Sequence, residues 1–250
     1  MGNWLKIIFQ YTGLLISWSI QYTFFFRFFN LIYESSPYVL IKFFVKYVKL
    51  PQRDIYWTVR LLNKRTIRTN IYANNNKTAQ FALSYQWHSP ALNFTENLLN
   101  KYYPIDIPWL DVGSNLGLRS LRSLSEKRPV FFFEPNTELN KFNVERCQLN
   151  GFVNYKIFGL GVSDSRGSVE FLIDKTSYNS TIETHLLAED SIDHIEIIRT
   201  DTIDNLYRDN FNEISCACIK IDVEGHELHV IKGARSLILA VSPTMIIEVN

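Results

Sequence analysis

The sequence predicts an α/β domain built on a mostly parallel, doubly wound sheet, and three observations point to it. From residue 79 onward, strand-like and helix-like segments alternate with short links, the pattern of parallel strands joined by crossover helices. The runs 131–133 and 216–221 are continuously apolar but for Lys220, as strands covered on both faces should be. At 109–117, WLDVGSNLG runs a strand into an aspartate and two glycines, the form of a ligand-binding turn at a strand's carboxyl end.

The 250 residues allow one such domain plus an appendage, and 46% hydrophobic residues supply a sizeable core. The net charge of +1 argues against a general nucleic-acid binder. Three cysteines without a CxxC pair make neither a disulfide framework nor a structural zinc site. Cys216 and Cys218 share one strand face and read as small buried hydrophobes.

Taken in order, the first element is apolar. Twenty uncharged residues separate Lys6 from Arg27, about 30 Å of helix and the thickness of a bilayer core. Polar residues such as Gln10, Ser17 and Gln21 dilute the run. Apolar residues at Trp4, Ile8, Tyr11, Leu15, Trp18 and Tyr22 recur in heptad steps. A spanning helix, an interfacial helix and a soluble helix packed on the domain all fit. Membrane attachment is preferred because Lys42 to Arg68 carries eight basic residues against the single acid Asp54, a cluster drawn to anionic lipid. If the helix spans, that asymmetry makes the C-terminal flank, and with it the domain, cytoplasmic. The expected organisation is therefore a membrane-associated helix at 1–33, a basic connecting segment at 34–78 ending in the polar loop ANNNKT, and the α/β domain at 79–250.

Within the domain, ENLLNKYY (96–103) reads as helix, PWLDVG (108–113) as strand and LGLRSLRSLSE (116–126) as helix. VFFFE (130–134) is a strand stopped by Pro135, and TELNKFNVERCQLN (137–150) a helix. VNYKIFGLGV (153–162) is a strand, and GSVEFLID (167–174) and HIEIIRT (194–200) are added strands. CACIKIDV (216–223) is a strand, HELHVIKGARSLILA (226–240) one helix and TMIIEV (244–249) the last strand.

Asp111 closes the first strand of the domain, and Gly113 and Gly117 then let the loop turn tightly and a ligand approach the backbone. Asn115 is placed to cap the next helix. The spacing is G-x-x-x-G, so the dinucleotide pattern GxGxxG is absent and no Gly-Lys-Ser/Thr follows. Glu134 ends the second strand, 23 residues after Asp111, where an acid can accept hydrogen bonds from ribose hydroxyls. A nucleoside-bearing cofactor without a pyrophosphate, such as S-adenosylmethionine, suits that pairing.

WLDVGSNLG, FFFEPN and above all IKIDVEGHELHVIKGA resemble the FkbM family of S-adenosylmethionine-dependent methyltransferases, over roughly residues 79 to 250. The resemblance implies a Rossmann-like class I methyltransferase fold. It carries Asp111, Gly113, Ser114 and Asn115 to the cofactor loop and Glu134 to the ribose. It also implies O-methylation, often of sugar hydroxyls, so a small-molecule or glycan acceptor is expected. Sheets of this class usually carry two more strands after TMIIEV, and the sequence given stops at Asn250. That strand is therefore expected to be followed by further chain or covered, either by GSVEFLID or by the same strand of a second copy in a homodimer.

In CIKIDVEGHE, Lys220 and Asp222 share one face of a central strand, where charges are costly unless paired or used. Methyl transfer to a hydroxyl needs the acceptor held in line and its proton removed. Asp222 is the first choice of base, His226 the alternative, and Glu224 also within reach. The competing reading pairs Asp222 with Lys220, gives Glu224 to the following helix N-terminus and leaves His226 on the surface. His226 and His229 form H-x-x-H on one helix face, but no third ligand stands at a recognisable spacing, so no metal is assigned. Asp164 follows the third strand, where an adenine contact would sit, although DSRG also reads as a type I turn. A second functional class stays open: a non-catalytic, membrane-anchored interaction protein that keeps the domain.

Overall fold

A computed structural model of the chain describes residues 55–60, 66–71, 94–175, 180–183, 185–210 and 215–248. The chain divides into two compact units, Met1–Thr95 and Glu96–Asn250. The first is described only as a hairpin, strands β1 (Ile55–Arg60) and β2 (Thr66–Ile71) paired antiparallel from Ile55↔Ile71 to Arg60↔Thr66. The expected membrane helix at 1–33 lies outside the described residues. Among those that are described, no helix is long and apolar enough to cross a membrane.

The second unit carries the sheet. Helix α1 (94–102) precedes β3 (Trp109–Val112). A 3-10 turn and the short α2 (Leu121–Ser125) lead to β4 (Val130–Phe133), and α3 (Thr137–Leu149) to β5 (Tyr155–Phe158). After β6 (Gly161–Val162), β7 (Gly167–Asp174) and β8 (Ile192–Asp201) come α4 (Ile203–Asn210) and β9 (Cys218–Ile221). Helices α5 (Glu227–Gly233) and α6 (Arg235–Val241) and strand β10 (Thr244–Ile247) complete it.

Five strands pair in parallel in the order β10-β9-β3-β4-β5. The period-2 alternation of each strand fills two cores. On one face Leu110, Val112, Phe133, Ile219 and Ile221 pack with Ile203, Leu206, Val230 and Leu237 of α4 to α6. On the other, Trp109, Val130, Phe132 and Cys218 pack with Leu99, Leu124 and Cys147 of α1 to α3. The result is a three-layer sandwich, the predicted class. All three cysteines are free and buried, and burial pushes the thiols of Cys147 and Cys216 up to about 12, which leaves them inert packing groups.

Four expectations change in detail. The run 153–162 is not one strand but two: β5 belongs to the main sheet, while β6 pairs with β8 in a separate three-stranded sheet of order β6-β8-β7. The helix expected at 226–240 breaks at Ala234, which adopts φ −106°, ψ 9°. The helix expected at 116–126 is reduced to a 3-10 turn plus five α residues, capped by no side chain, so Asn115 is not its N-cap. GSVEFLID does not cover β10: it pairs antiparallel with β8. Among the described residues β10 has one strand neighbour, β9.

Candidate active site

The glycine turn, Glu134 and Asp222 all lie at the carboxyl ends of β3, β4 and β9, three adjacent strands, where open parallel sheets bind ligands. The turn is held from below. The N–H groups of Gly113 and Ser114 both donate to Phe133 O, at 3.0 and 3.1 Å, and Gly117 N–H donates to Ser114 O at 2.7 Å. Gly113, Asn115 and Gly117 all have positive φ (68°, 48° and 65°).

The two glycines make the tight turn expected of them, and the protein's own atoms stand where a Cβ would go. A Cβ on Gly113 would stand 1.8 Å from Asp222 O, and one on Gly117 would stand 2.7 Å from Asn143 Oδ1. The loop is thus clamped between β9 and α3. From α3, Asn143 Nδ2 donates to Asn115 O at 2.7 Å, and the buried Arg146 guanidinium donates to Leu116 O. Burial lowers Arg146 to about 10, well above neutrality, so it remains a cation. Neither residue was expected at the site. A helix of weak amphipathicity, with a polar residue at 143 and again at 146 on its buried face, was the signal.

Asp111 is fully buried beneath this loop. Its Oδ2 accepts from Ser120 Oγ. Its Oδ1 lies 3.3 Å from Lys220 Nζ, a charge contact without hydrogen-bond geometry. Lys220 also donates to Gly113 O at 2.7 Å and pairs with Asp222 Oδ2 at 3.2 Å. Asp111 therefore bears on the loop through Lys220, which also holds Gly113 O.

Glu134 is buried and points into the turn. Its Oε2 accepts from Asn115 N–H at 2.8 Å and its Oε1 from Asn136 N–H at 3.0 Å. Burial raises it from the ordinary 4.5 to about 7, against the backbone hydrogen bonds and Lys220. Each oxygen keeps a second acceptor position. Nearby in sequence, Ser114 Oγ is buried with no hydrogen-bond partner among the described residues. A buried acid with spare acceptor capacity and an unpaired hydroxyl fit a nucleoside with ribose hydroxyls.

Asp222 is half-buried, and the neighbouring Asp222 carboxylate raises Glu248, just beyond β10, above its ordinary range. Sequence reasoning missed this second acid, which the parallel pairing of β9 with β10 brings alongside. Glu224 lies in the left-handed region (φ 51°), and its carbonyl accepts from Thr181 Oγ1 at 2.7 Å. His226 is buried, not surface: its Nε2 is 3.0 Å from Ser163 Oγ and its Nδ1 2.7 Å from Glu183 Oε1. Asp164 is exposed, and its Oδ2 meets His229 Nδ1 at 2.7 Å, the contact that most lowers its pKa.

A parallel sheet of this strand order, with a glycine turn after its middle strand and a buried acid after the next, defines a Rossmann-like protein of the class I methyltransferase type. Residues 111–250 match the family model of the Methyltransferase FkbM domain, and the chain belongs to that family. It is 30% identical over 154 residues to the hexuronic acid methyltransferase AglP of Haloferax volcanii, 61% of this chain and 59% of that protein. It thus spans about three-fifths of that relative's length. Among solved structures, methyltransferase FkbM from Methylobacillus flagellatus KT is 18% identical with a TM-score of 0.39, covering 69% of this chain and 44% of that one. The SAM-dependent methyltransferase from Agrobacterium tumefaciens is 13% identical with a TM-score of 0.28, covering 42% and 32%.

Proposed function

We propose that this chain is an S-adenosylmethionine-dependent O-methyltransferase acting on a hydroxyl of a sugar, glycan or glycolipid-like acceptor. The observation that carries the reading is Glu134, a buried acid held by the backbone N–H groups of Asn115 in the glycine turn and Asn136 at the start of α3, with acceptor positions to spare. S-adenosylmethionine would supply an electrophilic methyl group on a sulfonium. Glu134 would hold the ribose hydroxyls, and Ser114 and the clamped turn the rest of the nucleoside. Asp222, at the end of β9, would receive the proton of the acceptor hydroxyl, with His226 or Glu224 as the alternatives. The sugar assignment rests on the relative AglP, a hexuronic acid methyltransferase.

Calorimetric titration of the full chain with S-adenosylmethionine and NAD side by side tests the cofactor. Binding of the first is expected, weakened by about 1–3 kcal/mol in Glu134→Ala, the cost of stranding the ribose hydrogen bonds. NAD binding without S-adenosylmethionine binding would overturn it. From the sequence of 1–33 and the basic segment after it we also infer attachment to the cytoplasmic face of a membrane. Equal solubility of the chain with and without residues 1–33 on fractionation would rule that out.

A further inference from the structure

We propose that Glu183, His226 and His229 form a binding site for a divalent transition-metal ion of the zinc type. One ligand atom of each lies within 4.8 Å of those of the other two. His226 and His229 stand three residues apart at the start of α5, and their rings stack at 4.4 Å and 10°, so the His229 ring has to turn out of the stack for both to aim a nitrogen lone pair at one ion. Their carboxylate partner comes from 43 residues upstream, which is why no spacing rule on the sequence finds it.

The segment that brings Glu183 is fixed in place. Thr181 Oγ1 donates to Glu224 O at 2.7 Å and accepts from Glu183 N–H at 3.0 Å. Gly225 has φ 100°, a conformation that favours glycine, and a Cβ there would meet only side-chain atoms of this segment, the flexible end of Leu186 at 2.2 Å and Glu183 Cγ at 3.4 Å. Each imidazole also has a second partner: Ser163 Oγ lies 3.0 Å from His226 Nε2, and Asp164 Oδ2 lies 2.7 Å from His229 Nδ1. Metal-binding histidines are oriented by such contacts on the ring nitrogen that does not ligate. Asp164 accepting from Nδ1–H leaves the lone pair of His229 on Nε2. For His226, the ion takes the place of the proton held between Nδ1 and Glu183 Oε1. That proton leaves to water, and Nε2–H donates to Ser163.

Two imidazoles and one carboxylate suit Zn²⁺ or Co²⁺, whereas Mg²⁺ and Ca²⁺ prefer oxygen ligands. Three protein ligands leave a fourth position open, the arrangement of a site that works on a bound oxygen and not of a closed structural one. His226 is buried, while Glu183 and His229 are partly open to solvent, so an ion can enter. The site stands on the loop that follows β9 and carries Asp222. Ion binding does not depend on the methyl-transfer reading.

The test is a titration of the full chain with Co²⁺, followed by its visible absorption. Bands of four-coordinate Co²⁺ at one ion per chain are expected, displaced by Zn²⁺ and unaffected by excess Mg²⁺. His229→Ala, on a half-exposed side chain, and Glu183→Gln should each weaken binding at least about tenfold while the chain stays folded by circular dichroism. Absence of the bands, or bands that survive in either variant at unchanged affinity, would overturn the proposal.

Discussion

Lys220 Nζ lies 3.2 Å from Asp222 Oδ2, so the residue expected to act as base is tied to the cation that also anchors Gly113 O and faces Asp111. In the parallel register Asp111 is the direct partner of Lys220, so the pair is set by strand alignment. Asp222 is thus an ion-pair partner of Lys220 and also a neighbour of the Glu248 carboxyl, which it raises.

Lys220→Met strands the fully buried Asp111 charge. It should lower unfolding free energy by about 3–5 kcal/mol in denaturant titration, and adding Asp111→Asn should recover part of the loss. Additive losses in the double variant would show that the two residues do not compensate each other.

Asp222→Asn should leave cofactor affinity intact and cut turnover on the acceptor by roughly a hundredfold. It also removes the charge that raises Glu248. Unchanged turnover would transfer the base role to His226 or Glu224.

Stability should fall as pH rises from 4.5 toward about 7. Glu96 and Glu134 are both raised from 4.5 to about 7, chiefly by burial. An acid raised in the folded state contributes stability below its unfolded value and loses it as pH climbs through the folded one. Each group accounts for on the order of 2–3 kcal/mol by linkage, and Glu96→Gln should flatten part of the slope. Chemical unfolding across that pH range measures it; stability that rises over the window would refute the assignment.

Gly113 and Gly151 have similar φ, 68° and 64°, but only Gly113 has backbone in the way. Gly151→Ala should cost about 1–2 kcal/mol for conformation alone. Gly113→Ala adds the clash with Asp222 O and should cost about 2–5 kcal/mol. Equal melting temperatures for the two variants would show that the carbonyl yields freely.

Periodicity made the sheet and most helices legible, because burial on both faces leaves continuous apolar runs such as 131–133. Glu134 and the glycine turn were legible because strand ends are marked by Pro135 and Gly113. Long-range contacts were not. The neighbours of the glycines, Asp222 O and Asn143, come from elements far along the chain. Glu183 likewise meets His226 across 43 residues, on a segment that Thr181 ties to Glu224. The split falls just after Gly233, a helix-ending residue readable in the sequence, whereas its close approach to Ser163 O, 2.0 Å from where a Cβ would stand, is not.

The central position of β3 has a consequence for how the chain is made. Its neighbour β9 is synthesised about a hundred residues later, with Trp109 paired to Cys218. Until residues 218–221 leave the ribosome, β3 has an open edge and Asp111 has no counter-ion, so water can still solvate it. Completion of the sheet, neutralisation of Asp111 and closure of the glycine turn over Lys220 are then one event, late in synthesis. A growing chain halted before β9 would expose a sticky half-sheet, and the long sequence separation makes the final docking slow.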